Sequence, residues 1–478
     1  MSRHSFSSIS VGELVAASGI EARILNDASV RVTGISQDSR EIKNGDLFCC
    51  VRGLTFDGHR YIDQALANGA VAVLLEETSS LVPDHIAQIE VADVRRAIGH
   101  VASAGFGLPS RALSMVGITG TNGKTTTAAI LASILRASGR KTEIIGTLSG
   151  VHTTPEAIDL HAALRRFVDD GTRNVVMEVS SHALAQFRVG GVTFDVAIFT
   201  NLGHDHLDFH ETHEKYFAAK ALLFDPSFSR RGVVNVDDRH GQLLCDVGAI
   251  PMTAFSHSDA TDVVVEIDKV SFTWNDLALT VPIGGSYSVI NAIAAVTAAR
   301  ALDIPMEDIQ QGCATVPPVP GRFESVPNDR GIEVIVDFAH TAEGLEGLLS
   351  SVRALTRGRI LVVFGCGGGR DVTKRPLMGS VAASLADVVV VTSDNPRGEN
   401  PETIISDIIA GISEPNAEVR AIVNRAEAIE SAINSARHGD IVVLAGKGHE
   451  KTQEIDGVLT PFSDVETATV ALQNRKGD

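Results

Sequence analysis

One short run constrains this chain more than any other: Ser114-Met-Val-Gly-Ile, then Thr-Gly-Thr-Asn-Gly-Lys-Thr-Thr-Thr, then an alanine-rich stretch from Thr126 to Ser138. The apolar start predicts a buried strand, the Gly- and Thr-rich middle a tight turn, and the alanine-rich end an amphipathic helix. A glycine turn that opens a helix presents backbone amides and the positive helix end, a combination that cradles phosphates. Lys124 is then placed to reach terminal phosphates, and Thr125 a magnesium ion. The general phosphate loop puts glycine six residues before the lysine; Ile118 stands there, and the tighter Gly120-Thr-Asn-Gly-Lys-Thr form fits instead. A purely structural glycine turn is the competing reading. The strand before, the helix after and the Lys-Thr pair in place favour nucleotide binding.

A chain of 478 residues exceeds one ordinary hydrophobic core, and at roughly 150 residues per domain it divides into about three. Residues 1–110 carry short apolar runs such as Asp46-Leu-Phe-Cys-Cys-Val and Gly69-Ala-Val-Ala-Val-Leu-Leu, which predict a mixed α/β unit without a nucleotide loop. Residues 111–318 hold the phosphate loop and further apolar strands from Asn174 and from Phe194, a pattern that predicts a mainly parallel sheet covered on both faces. Three prolines in Val316-Pro-Pro-Val-Pro-Gly place the second boundary, because they continue neither a helix nor a central strand. Residues 319–478 repeat the alternation, with strands from Val334, Ile360, Asp387 and Ile441, and so predict a second, Rossmann-like parallel α/β domain.

A net charge of −18 argues against a sequence-independent grip on nucleic acid, so an anionic substrate needs locally placed cations. The amino terminus lacks the apolar segment of a signal peptide, and no run approaches bilayer length, which predicts a cytoplasmic protein without a membrane partner. The five cysteines, at 49, 50, 245, 313 and 366, show no metal-ligand spacing and read as small core residues.

Glu178 ends an apolar strand, where phosphate-loop enzymes keep an acidic group for magnesium; a solvated strand-end acid is the bland reading. The segment Thr200-Asn-Leu-Gly-His-Asp-His-Leu-Asp-Phe-His follows a buried strand, so its polar groups can face the crevice of the phosphate loop. Some of them must simply cap the next helix.

Taken in order along the chain, these motifs resemble the Mur ligases, in particular the branch that adds the third residue of the peptidoglycan stem peptide. The resemblance rests on Asp38-Ser-Arg with Gly45-Asp-Leu-Phe, the phosphate loop, Thr153-Thr-Pro, Glu178-Val-Ser-Ser-His, Asp205-His-Leu-Asp and Ala219-Lys-Ala. It continues through Gly321-Arg-Phe-Glu, Asp337-Phe-Ala-His, Lys374-Arg-Pro-Leu-Met, Asp394-Asn-Pro-Arg and Gly446-Lys-Gly-His-Glu. Each motif alone occurs by chance; their shared order does not. The resemblance implies a first domain for the UDP-sugar, a second for ATP, and a third that closes over both with the amino acid.

It also implies roles. ATP, as co-substrate with Mg2+, falls to Gly120, Thr121, Asn122, Gly123, Lys124, Thr125, Thr126 and Asn291, and to Arg322, Asp337 and His340 of the third domain. Magnesium falls to Thr125, Glu178 and His206, with Lys220 carbamylated into a carboxylate-like group; Lys124, Lys220, Glu178 and His206 form the catalytic set. The UDP-muramoyl dipeptide falls to Ser39, Leu54, Thr55, Phe56, Thr153, Thr154, Ser180, Gln186 and Arg188. The amino acid falls to Arg370, Asp394, Asn395, Pro396, Arg397, Gly446 and Glu450. Arg397 favours meso-diaminopimelate over lysine, since the extra carboxylate of the former calls for a fixed cation. The implied reaction is ATP-dependent addition of meso-diaminopimelate to UDP-N-acetylmuramoyl-L-alanyl-D-glutamate through an acyl phosphate.

The chain departs from the pattern at His204, Gly369 and Ala342, where the family often has Arg, Asp and Pro, and in a short segment before Thr153 that includes His152. Three other readings stand beside this one: a lysine-adding Mur ligase, a folylpolyglutamate synthase, and a degenerate paralogue that binds without catalysing. Asp38-Ser-Arg disfavours folate, and the retained Lys124, Thr125, Glu178, His206 and Lys220 disfavour the degenerate form.

Overall fold

The computed structural model describes residues 3–53, 57–80, 82–150, 152–413 and 417–475. Three six-stranded sheets follow one another along the chain, each the centre of one domain. In the first, the strands Arg31–Ser36, Asp46–Cys49, Ala70–Leu75 and Ala87–Glu90 run parallel, flanked by antiparallel edges His4–Ser10 and Arg23–Leu25. The inner strands are short and buried, and the exposed residues collect on the edges, as a sheet covered on both faces requires.

The central sheet is parallel throughout. Its order is Met252–Phe255, Gly232–Asn235, Val196–Phe199, Ser114–Thr119, Asn174–Glu178 and Thr142–Ile145. The strand carrying the phosphate loop thus lies between the strand ending in Glu178 and the one leading to Asp205, so all three C-terminal ends open on one crevice. Helices Lys124–Ala137 and Tyr287–Ala301 pack on one face; their alanines, among them Ala128, Ala132, Ala295 and Ala299, are buried and let the two helices sit close. A three-stranded antiparallel sheet, Ala260–Val265, Val270–Trp274 and Leu277–Val281, adds Phe272 and Trp274 to the same core.

The third sheet runs Glu324–Ser325, Glu333–Asp337, Ile441–Ala445, Ile360–Phe364, Val388–Val391 and Glu418–Ala421, antiparallel only at its first strand. The residues Val388–Val391 are all buried, alternating between two separate clusters on the two faces. Each such side chain contributes about 1.5–3 kcal/mol relative to exposure. A hairpin, Thr452–Ile455 with Val458–Pro461, stands outside the sheet. No helix among the described residues is long and apolar enough to cross a membrane.

Candidate functional site

The phosphate loop leaves the central sheet at Thr119 and enters the helix at Lys124. Gly120 and Gly123 have φ of 152° and 86°, and a Cβ would fall 1.9 Å from Thr200 Oγ1 at the first and 2.3 Å from Asn291 Oδ1 at the second. Side chains at either position would break the turn. Thr200 and Asn291 thereby abut the loop; Asn201 Oδ1 accepts from the Asn122 amide at 2.9 Å, and the Thr121 hydroxyl meets the Tyr216 hydroxyl at 3.0 Å. Lys124 Nζ donates to the carbonyls of Gly120 and Thr121 at 2.8 and 2.9 Å. Burial lowers its pKa, partly opposed by Glu178.

Glu178 is buried at the end of its strand. Its carboxylate accepts from the Thr125 hydroxyl at 3.0 Å, the Thr147 hydroxyl at 3.1 Å and the Thr147 amide at 3.0 Å. Among the described residues its carboxylate forms no ion pair within 4.0 Å and is bonded directly by hydroxyl and amide donors, with the Lys124 charge acting from farther off. That arrangement suits a divalent cation. No group of three His, Cys, Asp or Glu among the described residues forms a ready metal cage. Mg2+ does not need one: it keeps waters and shares substrate phosphates, held by one or two protein oxygens. Thr125 and Glu178 supply such oxygens.

His206 has φ of 57°, and its ring packs edge-on against His182 at 4.7 Å between centroids. Burial depresses its pKa to about 3, with Lys220 and Lys124 adding to the effect against Asp205, so the ring is neutral and keeps a free lone pair. Lys220 is buried, its ammonium lying 4.4 Å over the Tyr216 ring, and no carboxylate among the described residues forms an ion pair with it. Burial, then the charge of Lys124, push its pKa well below the usual value. That shift favours the unprotonated amine, which is the form that adds to carbon dioxide.

Beyond the loop, a cavity of about 330 Å³ is lined by Asn122, Gly123, Thr126, Asn291, Arg322 and Asp337. Asp337 accepts from the amides of Phe323 and Ala339 and from the Tyr287 hydroxyl, at 2.7, 2.8 and 3.0 Å. His340 instead lines a second cavity, of about 220 Å³, where the central and third domains face each other. The central domain brings Asp205, His206 and Asp208 to it; the third brings Arg370, Asp394, Asn395, Arg397, Gly446 and Glu450. Phe338 lines both cavities and separates them. Pro396 is not on the cavity wall; its carbonyl packs 2.0 Å from where a Cβ on Gly368 would lie.

On the amino-acid side Lys447 is fully buried and donates to Glu450 Oε2 at 2.8 Å and Asn395 Oδ1 at 3.1 Å. Burial raises the Glu450 pKa, but Lys447 and Asn395 outweigh it and hold the carboxyl below its usual range. Burial also raises the Asp205 pKa, and the hydrogen bond and charge of His340, with His206 and Lys374, reverse that strongly. Asp205 Oδ2 lies 3.5 Å from His340 Nε2, a polar contact across the domain interface.

The residues expected to meet the dipeptide form a connected cluster. Thr154 Oγ1 donates to the Glu178 carbonyl at 2.9 Å and accepts from the Ser180 amide at 3.0 Å; Ser180 caps the helix Ser181–Ala185. Arg188 holds Gln186 Oε1 with two nitrogens, at 3.1 and 2.7 Å, donates to the Thr154 carbonyl at 3.2 Å, and pairs with Glu156 at 2.9 Å. Thr153 meets Thr147 at 3.1 Å. Ser39 donates to Gln64 at 2.7 Å beside a separate cavity of about 320 Å³ in the first domain. Leu54, Thr55 and Phe56 lie outside the described residues.

The departures have local explanations. Ala342 is the first residue of the helix Ala342–Leu355, capped by Thr341; proline is favoured there and alanine serves equally well. His204 lies 3.3 Å from Asp371 and its amide donates to Glu343 at 3.1 Å, so it still ties the central domain to the third. The amide of Gly369 donates to Glu399, and His152 is exposed. Sequence reasoning gave no role to Asp205, Lys374, Asp371 or Lys447. The motifs that contain Asp205, Lys374 and Lys447 were visible, but each also has a partner distant in sequence: Lys374 Nζ donates to the His340 carbonyl at 2.9 Å, and Lys447 Nζ to Asn395 at 3.1 Å.

A phosphate loop facing a second, polar cavity across a domain interface defines a ligase that activates one substrate with ATP and delivers another to it. Residues 31–105, 118–299 and 321–448 match the families described as Mur ligase family, catalytic domain, Mur ligase middle domain, and Mur ligase, glutamate ligase domain. The chain belongs to the Mur ligase family. It is 40% identical over 469 residues to the UDP-N-acetylmuramoyl-L-alanyl-D-glutamate--2,6-diaminopimelate ligase of Geobacillus kaustophilus, covering 93% of this chain and 95% of that one. The enzyme of the same name from Gloeobacter violaceus is 43% identical over 489 residues, covering 97% and 98%. A solved structure of a UDP-N-acetylmuramoyl-L-alanyl-D-glutamate--2,6-diaminopimelate ligase superposes with a TM-score of 0.68 at 31% identity, covering 98% of this chain and 99% of that one.

Proposed function

We propose that this chain is an ATP-dependent ligase that joins meso-diaminopimelate to UDP-N-acetylmuramoyl-L-alanyl-D-glutamate in peptidoglycan precursor synthesis, acting in the cytoplasm. The observation that carries the reading is the second cavity, where Arg370, Arg397, Asn395 and Glu450 face His206 and Asp205 one wall away from the phosphate loop. We place the domain boundaries near residues 110 and 318.

A carboxylate and an amine do not condense in water unaided. In this reading the substrate carboxylate oxygen bonds to the γ-phosphorus of ATP as the bond to the ADP oxygen breaks, giving an acyl phosphate. The amine nitrogen then bonds to the acyl carbon, phosphate leaves, and the amine proton passes to solvent. Lys124 offsets charge on the terminal phosphates, and the loop amides and helix start hold the rest. Thr125, Glu178 and His206 would hold Mg2+, whose charge lowers the repulsion between phosphate and carboxylate. A carbamate on Lys220 would add an anionic oxygen pair beside them. Thr154, Ser180, Gln186 and Arg188 position the dipeptide carboxylate, and domain closure brings the amine to it.

Phosphate release from ATP that requires both the UDP-muramoyl dipeptide and diaminopimelate, and that disappears in Lys124→Ala, tests the reading. Tight binding of both substrates without turnover would leave a binding protein in its place.

A further inference from the structure

Arg397 is held by more than its own loop. Its residue has φ of 54°, a conformation that a long side chain adopts only when its surroundings fix it. The surroundings are the strand Thr452–Ile455 of the outlying hairpin, which lies parallel to the Asp394–Arg397 loop and is stitched to it residue by residue. Gln453 Nε2 donates to the Asp394 carbonyl at 2.7 Å, and the Glu454 amide donates to Asn395 Oδ1 at 3.0 Å. The Arg397 amide donates to the Glu454 carbonyl at 3.0 Å, and the Asp456 amide to the Arg397 carbonyl at 2.6 Å.

The side chains repeat this pairing. Arg397 Nη1 donates to the Gly368 carbonyl at 2.6 Å, while Glu454 Oε2 lies 3.5 Å from Arg397 Nε. A guanidinium is a planar fork, so two contacts fix the plane and direction of the rest. With Nε turned to Glu454 and one hydrogen of Nη1 used by Gly368, Nη2 and the second hydrogen of Nη1 have no partner among the described residues. These form the edge that grips a carboxylate with two parallel bonds.

We propose that Glu454 is a positioning residue for amino-acid selection: through its carboxylate on Nε it turns the free edge of Arg397 toward the distal carboxylate of the incoming amino acid. The inference rests on the reading of Arg397 as the residue that takes that carboxylate. Glu454 touches the amino acid only through Arg397, and the hairpin is the template that holds both.

Steady-state kinetics of the full-length enzyme with diaminopimelate test it. Glu454→Ala leaves the backbone bonds in place, and its KM for diaminopimelate rises roughly three- to fivefold, the size of a partly exposed ion pair. Its KM for ATP stays within about twofold, a split that general loosening of the fold would not give. Glu454→Gln keeps an acceptor for Nε and recovers most of the affinity. In an Arg397→Ala background, Glu454→Ala adds nothing, because the side chain it positions is gone. An equal effect of Glu454→Ala in both backgrounds, no effect in either, or a lowered KM overturns the inference. If Arg397→Ala itself leaves the preference for diaminopimelate over lysine unchanged, the reading of Arg397 fails and this inference with it. A normal loss in Arg397→Ala with an unchanged Glu454→Ala removes the inference alone.

Discussion

The Arg322 guanidinium donates from Nη2 to the Thr125 hydroxyl at 3.0 Å, and that hydroxyl in turn donates to Glu178 Oε2 at 3.0 Å. Arg322 follows the proline-rich junction and Thr125 sits in the first turn of the phosphate-loop helix, so the contact joins two domains at the point of chemistry. The Phe338 ring, 4.7 Å beneath the guanidinium, fixes its plane. In the proposed reaction this cation of the third domain would reach the phosphates only when the domains meet, which would tie closure to activation.

Replacing Arg322 tests that coupling. Arg322→Ala is expected to lower kcat roughly 10²- to 10³-fold, the usual effect of removing one preorganised donor to developing charge. Arg322→Lys recovers only part, because an ammonium cannot both bond Thr125 and lie flat on Phe338. Full activity in Arg322→Ala, measured by phosphate release, would show the contact to be structural only.

Lys220 gives a second prediction. Burial and the charge of Lys124 push its pKa well below the usual lysine value, which favours the free amine that adds to carbon dioxide. Lys220→Ala is expected to lose nearly all ligation and to regain a measurable share in millimolar formate or acetate, whose carboxylate can occupy the vacated space. If no small carboxylate restores turnover, the carbamate reading of this residue falls.

The parallel sheets were legible because their strands are written as continuous apolar runs, such as Asp387-Val-Val-Val-Val, and the phosphate loop because its glycines and lysine are adjacent. The antiparallel sheet spanning Ala260–Val281 was not, since its first strand exposes Val263 and Val264 and carries no continuous apolar signal. The hairpin at Thr452–Pro461 escaped for the same reason, with Val458 and Leu459 exposed. Side-chain roles were legible where a motif holds its own partners. Asp205 and Lys374 meet His340, and Glu454 meets Arg397, across separations that no local pattern encodes.

His161 sets a limit on stability in acid. Its Nε2 meets the Gly190 carbonyl at 2.8 Å, and its Nδ1 is buried without a partner among the described residues, so the neutral ring carries its proton on Nε2. Burial lowers its pKa from the ordinary histidine value of 6.5 to about 4. Between those values the unfolded chain takes up a proton that the folded chain refuses, so stability is full above about pH 6.5 and falls as the pH drops toward 4. The loss is on the order of 3 kcal/mol at its full extent. His161→Gln, which cannot titrate, should show a smaller fall in melting temperature between about pH 7 and about pH 4.5 than the parent protein. Equal falls in the two would assign the acid sensitivity elsewhere.

The choice between diaminopimelate and lysine rests on one extra carboxylate, and in the proposed reading the surroundings of Arg397 set how strongly it is read. A cation left with no partner when lysine binds would reject it by the roughly 10⁴- to 10⁵-fold typical of unpaired buried groups. Arg397 is not left so bare, because Gly368 and Glu454 stay on it. Lysine therefore forfeits the two charge-assisted bonds to the distal carboxylate without stranding the guanidinium, and the expected preference is smaller, roughly 10²- to 10³-fold in kcat/KM. Arg397→Ala should bring the two amino acids to within about tenfold of each other, mainly by raising the KM for diaminopimelate, while phosphate release at saturating lysine changes little. Arg397→Lys should restore only a fraction of the preference, since a point charge cannot reproduce the paired bonds. Competition between the two amino acids in one reaction, read by mass spectrometry of the UDP-linked products, measures the ratio directly. A parent enzyme that prefers lysine, or an Arg397→Ala variant that discriminates as well as the parent, would remove diaminopimelate as the substrate.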